Sequence, residues 1–283
     1  MSKHHYLTQR IAFAMLLLST LLVVAPVCFI VFVIVKQGWA AINWEFLTTM
    51  PKMGMRQGGI FPAIIGTLYL VTGTLIFAIP LGVLSAVYLT EYAKDNFLTR
   101  LVKLAIINLA GVPSVVYGLF GLGIFVVFLK FGASILAGSL TLAIMVLPII
   151  ITASKEALDS VPKSFREVSL SLGASKWQTI RCSVLPHALP GILTGIILGI
   201  SRAAGETAPI LFTVAAFYLP KLPQSIFDQA MALPYHLYVI STQVPNVDAK
   251  TRYGTAFVLL ILVLSMNLIA IVLRAKFRKK KKW

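Results

Sequence analysis

Long apolar runs separated by short polar stretches make up most of this chain. Each run approaches the roughly 20 residues that an α-helix needs to cross a bilayer. The six runs cover residues 11–35, 62–88, 104–129, 135–153, 187–213 and 255–273. Three longer polar interruptions, none able to fold as a separate domain, lie at 36–61, 154–186 and 218–254. The pattern predicts an all-α, polytopic membrane protein with six transmembrane helices and a single domain over 1–283.

The composition supports this fold class. Hydrophobic residues make up 58% of the 283 positions and charged residues 12%, whereas about a quarter of an average soluble domain is charged. A soluble core would hide one wholly apolar helix but not six. Composition therefore argues against a soluble globular protein.

The basic residues are distributed unevenly between the two sides of the predicted membrane. With the N-terminus inside, 17 of the 25 Lys and Arg fall in cytoplasmic segments and 7 in outer segments, as the positive-inside rule predicts. Both termini are then cytoplasmic. A net charge of +16 would indicate nucleic acid as the partner of a soluble protein. Here the basic tail at 276–282 is better explained as an anchor beside anionic membrane lipid, so no nucleic-acid partner is expected.

The chain lacks the residue patterns of a catalyst. Cys28 lies within the first run and Cys182 in a cytoplasmic interruption, so the two would not pair. The four histidines share no ligand spacing, and the chain contains no G-x-x-x-x-G-K-[ST] phosphate-binding loop. We expect no catalytic residue, no metal site and no cofactor bound by this chain.

The cytoplasmic interruption at 154–186 contains more residues that typically begin or end helices than a simple connection needs. Gly173 follows a periodic apolar run, where a residue able to adopt positive φ commonly ends a helix. Ser175 and Gln178 have the spacing of a capping box, which predicts a second short helix that stops before Pro186. The apolar positions of the first helix that recur on one face are Phe165, Val168 and Leu172.

Two interpretations of this amphipathic loop remain open from the pattern. A helix, glycine turn and helix would present an apolar knuckle to a groove on another protein. Alternatively, the segment would rest on the lipid interface, where basic residues flank it. Those residues are Lys163, Arg166, Lys176 and Arg181.

The fifth run contains two opposite charges near its middle, Arg202 and Glu206. A charge at that depth costs at least about 2.5 kcal/mol on the insertion scale, so neither side chain is expected to face lipid. Because they are four positions apart, they lie on one helical face and would interact. Gly191, Gly195 and Gly199 share that face, and such spacing allows another helix to approach closely.

The same run also predicts a helix break. Pro209 lacks the amide that would bond to the Gly205 carbonyl, and glycine itself weakens a helix. One interpretation is a substrate pathway, in which Arg202 binds an oxyanion and Glu206 orients and neutralises it. The alternative is a buried ion pair that only fixes helix register.

The 154–186 segment resembles the coupling loop of binding-protein-dependent ABC importer permeases, whose loose consensus is EAA, three residues, Gly, nine residues and I-x-L-P. Val168, Ser169 and Ser183 depart from that consensus. The resemblance implies that this loop seats in an ATPase subunit. The coupling residues it implies are Glu167, Gly173, Ala174, Leu185 and Pro186.

The run Arg202-Ala203-Ala204-Gly205-Glu206-Thr207-Ala208-Pro209 is very similar to the fifth span of permeases from phosphate importers, and the likeness extends over about 155–213. It implies phosphate as cargo and a location in the bacterial inner (plasma) membrane. It also implies a heterodimer with a sister permease, two copies of an ATPase that hold ATP and Mg²⁺, and an extracytoplasmic phosphate-binding protein.

Other functions stay open at this point. Sulfate or molybdate would also be attracted to Arg202. A secondary transporter driven by an ion gradient often has a broken helix and a midplane charge, but it usually has more spans in repeats, and no internal repeat is visible here. A receptor or scaffold without transport activity is a third class.

Overall fold

The computed structural model describes residues 3–279, with side chains described for 9–278. Its helices are α1 (Lys3–Gly38), α2 (Trp44–Thr48), α3 (Phe61–Val87), α4 (Phe97–Ala110), α5 (Ser114–Gly121), α6 (Ile135–Asp159), α7 (Lys163–Ser171), α8 (Lys176–Thr179), α9 (Leu185–Gly205), α10 (Ala208–Thr213), α11 (Leu233–Thr242) and α12 (Ala249–Lys279). A 3₁₀ turn, Trp39–Ala41, follows α1, and wider π-helical turns extend α3, α5 and α8 at Tyr88–Tyr92, Leu122–Phe128 and Ile180–Val184. The predicted basic anchor at Lys280, Lys281 and Lys282 lies outside the described residues.

Within residues 3–279, five continuous helical segments are long and apolar enough to cross a membrane. They are Gln9–Ala41, Phe61–Tyr92, Ile135–Asp159, Lys176–Gly205 and Ala249–Arg278. A sixth span is present if the bent pair α4 and α5 counts as one. The predicted all-α polytopic fold is confirmed, and the runs predicted at 11–35 and 255–273 belong to helices that extend several residues further at both ends.

The third predicted span, 104–129, differs from the structure because it is not one straight helix. The chain turns through 106° between α4 and α5. Pro113 disfavours a helical conformation at Val112 and itself has extended backbone, φ −58° and ψ 140°. The hydroxyl of Tyr117 donates to the Leu109 carbonyl across the bend at 2.6 Å. No residue of α4 is buried in the described chain, so this segment lies beside the bundle rather than within it.

The fourth span extends past its predicted end at residue 153, because the polar residues beyond that point lie on one face only. Lys155 pairs with Asp159 at 2.8 Å on the outer side of the helix. Ser154 and Leu158 on the other side have no exposed surface. The cytoplasmic interruption predicted at 154–186 therefore shrinks from its N-terminal end.

It shrinks from its C-terminal end as well, since the second loop helix does not stop before Pro186. α8, the π-helical turn Ile180–Val184 and α9 form one continuous helical segment, Lys176–Gly205. Pro186 sits at the first or second position of α9, where its missing amide has no regular partner within the helix to lose. Only residues 160–175 remain as the connection between the fourth and fifth spans.

The core is formed by α3, α6 and α9, with α6 in contact with both other helices. α1 packs chiefly against α12, and its apolar side chains between residues 11 and 30 are exposed. The short outer elements before α3 include a hairpin of β1 (Pro51–Lys52) and β2 (Gln57–Gly58).

The polar interruption at 218–254 does not stay outside the helices but folds back into the bundle. Ala230 and Leu233 have no exposed surface. The Leu233 amide donates to the Thr67 hydroxyl of α3 at 2.8 Å. A Cβ built on Gly66 would lie 2.0 Å from the Met231 carbonyl oxygen, so this glycine is required for the close approach. The apolar stretch at 230–233 within this interruption therefore packs in the core.

Acidification should destabilise the fold through His236 of α11, which lies outside the candidate spans. This side chain is 3% exposed, its Nδ1 has no partner among the described residues, and burial lowers the pKa of His236 to about 4. An unfolded histidine titrates near 6.5, so between pH 6.5 and 4 the unfolded chain binds a proton that the fold excludes. The free energy of unfolding then falls by about 3 kcal/mol as the pH drops through this window.

Thermal unfolding of the detergent-solubilised chain at a series of pH values between 7.5 and 4.5 would test this. We expect His236→Leu to flatten the dependence of Tm on pH relative to the unmodified chain. Parallel curves for the two proteins would contradict the assignment.

Candidate functional site

The glycines predicted to mediate helix packing face α6. A Cβ built on Gly191 would lie 2.5 Å from the Ala157 Cβ, and one on Gly195 would lie 2.6 Å from the Ala153 Cβ. At Gly199 the nearest atom belongs to Ile150, at 3.3 Å. Distances below 3 Å are not tolerated by real side chains, so Gly191 and Gly195 set how closely α9 approaches α6.

The helix of the fifth span is interrupted within one turn after Arg202. α9 ends at Gly205, Glu206 has extended backbone with φ −75° and ψ 136°, and α10 begins at Ala208. Pro209 occupies one of the first two positions of α10. The span predicted over 187–213 is therefore two helices separated by Glu206 and Thr207, and the break lies at the predicted charged pair.

α5 packs against this break from one side. A Cβ built on Gly118 would lie 3.0 Å from both the Ala208 carbonyl oxygen and the Pro209 Cα, so these backbones approach closely. Tyr117, which holds the bend before α5, is 5% exposed. The bend in the third span thus brings a small-residue face of α5 against α10.

Arg202 and Glu206 interact across the break. The Arg202 Nε donates to the Glu206 Oε1 at 3.4 Å, and the two side chains are 31% and 19% exposed. This bond is long for a charge-assisted pair, which usually has a donor–acceptor distance of about 2.7–2.9 Å. Among the described residues the guanidinium donates no other hydrogen bond, which leaves four of its five N–H groups unused.

Arg166 provides an internal comparison. Its guanidinium donates to both carboxylate oxygens of Glu91 and to the carbonyls of Leu158 and Val161. An arginine whose partners all belong to this chain is thus nearly saturated, whereas Arg202 is not. The contrast favours a ligand role for Arg202 over a purely structural ion pair.

Two polar ties between α9 and α12 were not anticipated from the sequence. The Ser201 hydroxyl donates to the Asn267 Oδ1 at 2.9 Å, and Arg274 donates to the Thr194 hydroxyl at 3.1 Å. Of the residues that form these hydrogen bonds, Asn267 is the one whose role could best have been anticipated from the sequence, because it is a carboxamide inside an otherwise apolar run. Both ties fix the side of α9 next to Arg202 and its glycine face.

The cytoplasmic loop has the predicted turn and caps. Gly173 has φ +81°, its amide donates to the Leu170 carbonyl, and the Ala174 amide donates to the Ser169 carbonyl. These two bonds form a Schellman motif. Ser175 and Gln178 form the predicted capping box, and a hydrogen bond of 2.9 Å joins the Ser169 and Thr179 hydroxyls, closing α7 onto α8.

The tip of this loop exposes apolar side chains. Val168 is 61%, Leu172 82% and Trp177 49% exposed, and Glu167 is exposed beside them. Phe165, predicted on the same face, instead packs against the His187 ring, with centroids 4.6 Å apart. The structure thus leaves an unpartnered apolar knuckle between residues 167 and 177.

The predicted coupling residues divide into two groups. Glu167, Gly173 and Ala174 lie at the loop tip, whereas Leu185 and Pro186 lie in the first turn of α9. None of them is close along the helix to the charged pair: at about 1.5 Å per residue, Arg202 lies about 39 Å along the continuous helix from Lys176. The chain therefore carries two separate sites joined by one helical segment.

Comparison with known proteins identifies the protein family to which this chain is similar. Residues 78–283 match the family model described as binding-protein-dependent transport system inner membrane component. The chain is 34% identical to the "Probable ABC transporter permease protein YqgI" of Bacillus subtilis, covering 97% of both chains. It is 35% identical to the "Phosphate transport system permease protein PstA 1" of Mycobacterium tuberculosis, covering 90% of this chain and 85% of the relative.

Solved structures support the fold. A bacterial ABC transporter involved in import of the acidic polysaccharide alginate superposes with a TM-score of 0.68 at 15% identity, over 95% of this chain and 96% of that one. The MetNI methionine ABC transporter, in an inward-facing conformation, superposes with a TM-score of 0.57 at 17% identity, over 77% of this chain and 94% of that one.

Replacing Gly173 should loosen the loop. Valine at φ +81° is strained by about 1–3 kcal/mol, although no atom lies within 4 Å of the Cβ position. We expect Gly173→Val to increase amide hydrogen exchange in residues 163–179. Gly173→Asn is the matched control, because asparagine tolerates this backbone conformation. Equal protection in the two variants would show that the turn does not depend on the left-handed residue.

Proposed function

The chain belongs to the family of inner membrane components of binding-protein-dependent transport systems, and on that basis we propose that it translocates inorganic phosphate as a permease subunit of an ATP-driven importer. Two relatives that are 34–35% identical over the aligned residues are the "Phosphate transport system permease protein PstA 1" of Mycobacterium tuberculosis and the "Probable phosphate transport system permease protein PstA" of Methanocaldococcus jannaschii. Membership makes the chain a multi-pass membrane subunit and not the ATPase itself.

An importer of this class works with an ATPase and a substrate-binding protein. We assign to this chain the finer assembly expected from its relatives: a PstC-like sister permease as heterodimer partner, two PstB-like ATPases and a PstS-like phosphate-binding protein. ATP and Mg²⁺ would be held by the ATPases, and this chain would bind no cofactor. The location proposed for the assembly is the inner (plasma) membrane of a bacterium.

The unsaturated Arg202 is the observation that carries the cargo assignment. Its four unused N–H groups are donors in a planar fork, the geometry that suits a tetrahedral oxyanion. The extended backbone at Glu206 ends α9 beside the guanidinium, and the bond between the pair is long, at 3.4 Å, so an anion would compete with it easily. Glu206 then neutralises the charge of Arg202 when no anion is present. When an anion binds, the Arg202 guanidinium exchanges Glu206 for the anion.

The coupling residues have a mechanical role in this proposal. The exposed Val168, Leu172 and Trp177 would seat in the ATPase, with Glu167 beside them. The Schellman turn at Gly173 and the capping box hold the knuckle rigid, so that a displacement moves it as a unit. Because α8 runs into α9 without interruption, the displacement reaches the break beside Arg202 through one helix.

Reconstitution of the complete complex in liposomes would test the function. We expect ATP-dependent uptake of phosphate that requires the loaded binding protein, with sulfate and molybdate taken up poorly. Uptake of another oxyanion would overturn the cargo, and uptake driven by an ion gradient without ATP would overturn the class.

Arg202→Gln should reduce phosphate uptake by about 10- to 100-fold, since a hydrogen bond to a charged group contributes about 1.5–3 kcal/mol. Subunit assembly should be unaffected, because the Gly191 and Gly195 contacts do not involve the guanidinium. Arg100→Gln is the matched control, as that arginine pairs with Asp95 on the surface with 68% and 70% exposure. Unchanged uptake in Arg202→Gln would leave the pair with only a structural role.

A further inference from the structure

The underside of the cytoplasmic loop is tied to α3 by an ion pair. The Arg166 Nε lies 3.0 Å from the Glu91 Oε1 and 3.3 Å from the Oε2, and the Nη2 lies 2.7 Å from the Oε1. The two side chains are 20% and 9% exposed. They come from positions 75 residues apart, Arg166 on α7 and Glu91 in the π-helical turn that ends the second span.

The same guanidinium also holds the end of α6. Its Nη1 donates to the Val161 carbonyl at 2.8 Å and its Nη2 to the Leu158 carbonyl at 3.0 Å. These carbonyls belong to the last turn of α6 and the residues after it, where helical partners are missing. Arg166 therefore joins three elements: α7, α6 and the end of α3.

A second contact reaches the same turn of α3 from the other arm of the loop. The Lys176 Nζ of α8 lies 4.8 Å from the centroid of the Tyr92 ring, within the distance of a cation–π interaction. Both arms of the loop thus contact Tyr88–Tyr92. Two attachment points restrict rotation as well as translation of the loop relative to α3.

Stability alone is a poor explanation for the Glu91–Arg166 pair. Burying two charges loses hydration, and replacing a buried ion pair with apolar residues is often neutral or stabilising. What a bidentate pair supplies is fixed geometry between two planar groups. Here it fixes the position of the loop on the end of a span to which the loop is not adjacent in sequence.

We infer that Glu91 and Arg166 are positioning residues that make the cytoplasmic end of α3 move together with the coupling loop. The inference deepens the proposed function and rests on it. The loop is covalently continuous with α6 and α9 only, so without this pair a displacement by the ATPase would reach the second span only through side-chain packing and the single Lys176–Tyr92 contact. With the pair, all three core helices move together.

The test uses the complete complex in liposomes, with phosphate taken up per ATP hydrolysed as the readout. We expect Glu91→Gln and Arg166→Gln to assemble and hydrolyse ATP, because Val168, Leu172 and Trp177 are untouched, while phosphate per ATP falls about tenfold, within the usual range for coupling between sites. The charge reversal Glu91→Arg with Arg166→Glu should recover part of the loss. Asp95→Asn is the matched control, since it removes an exposed carboxylate nearby.

A second readout is independent of the cargo. Spin labels at Lys94 and Ser171, both exposed, would report the distance between the end of α3 and the loop in a background with Cys28 and Cys182 replaced by serine. We expect one narrow distance with and without ATP, and a broadened one in Glu91→Gln.

The outcomes separate the two proposals. A distance that changes with ATP in the unmodified complex, or normal phosphate per ATP in Glu91→Gln, would overturn the positioning role. Absence of phosphate uptake by the unmodified complex would overturn the proposed function, and the distances would still decide whether the pair links the loop to α3.

Discussion

Hydrocarbon offers no hydrogen bonds, and this constraint explains where the polar groups of the chain are placed. Inside the bundle, hydroxyls such as Thr67 and Thr74 donate to carbonyls of their own helix, as a membrane environment requires. Among the described residues, charges lie at the ends of the spans and in the segments that connect them, and at one place inside a span, the break after Arg202. Irregular backbone is tolerated at membrane depth only where protein or a cavity surrounds it, so a broken, charged fifth span must face the interior of an assembly.

That assembly depends on close approach of backbones. Gly191 and Gly195 leave α9 in contact with α6, and Gly66 lets the outer segment at 230–233 pack against α3. Apolar side chains contribute little net attraction between helices in lipid, because lipid tails are equally apolar. Small residues compensate by bringing whole helix faces together. The positions of glycines therefore determine how the helices of the bundle are arranged as much as the positions of large side chains do.

Sequence reasoning succeeded where the signal is local and failed where it depends on distant contacts. The apolar runs predicted the all-α polytopic fold, and Ser175 with Gln178 predicted the capping box. Charged residues at 155–159 were taken as the end of a span, because a hydropathy pattern cannot show that they occupy one face of a continuing helix. The bend at Gly111–Pro113 had a local signal that was missed. The pairing of Glu91 with Arg166 had none, since 75 residues separate them.

The uninterrupted helix from Lys176 to Gly205 imposes a length rule on the sequence. Inserting one residue between Lys176 and Arg202 would turn the loop by about 100° relative to Arg202 and lengthen the helix by about 1.5 Å. Substitutions in this stretch alter a side chain, whereas insertions alter the angle between the cytoplasmic loop and the charged pair. During evolution, the 28 positions between Gly173 and Arg202 should change identity freely at exposed sites while their number stays constant.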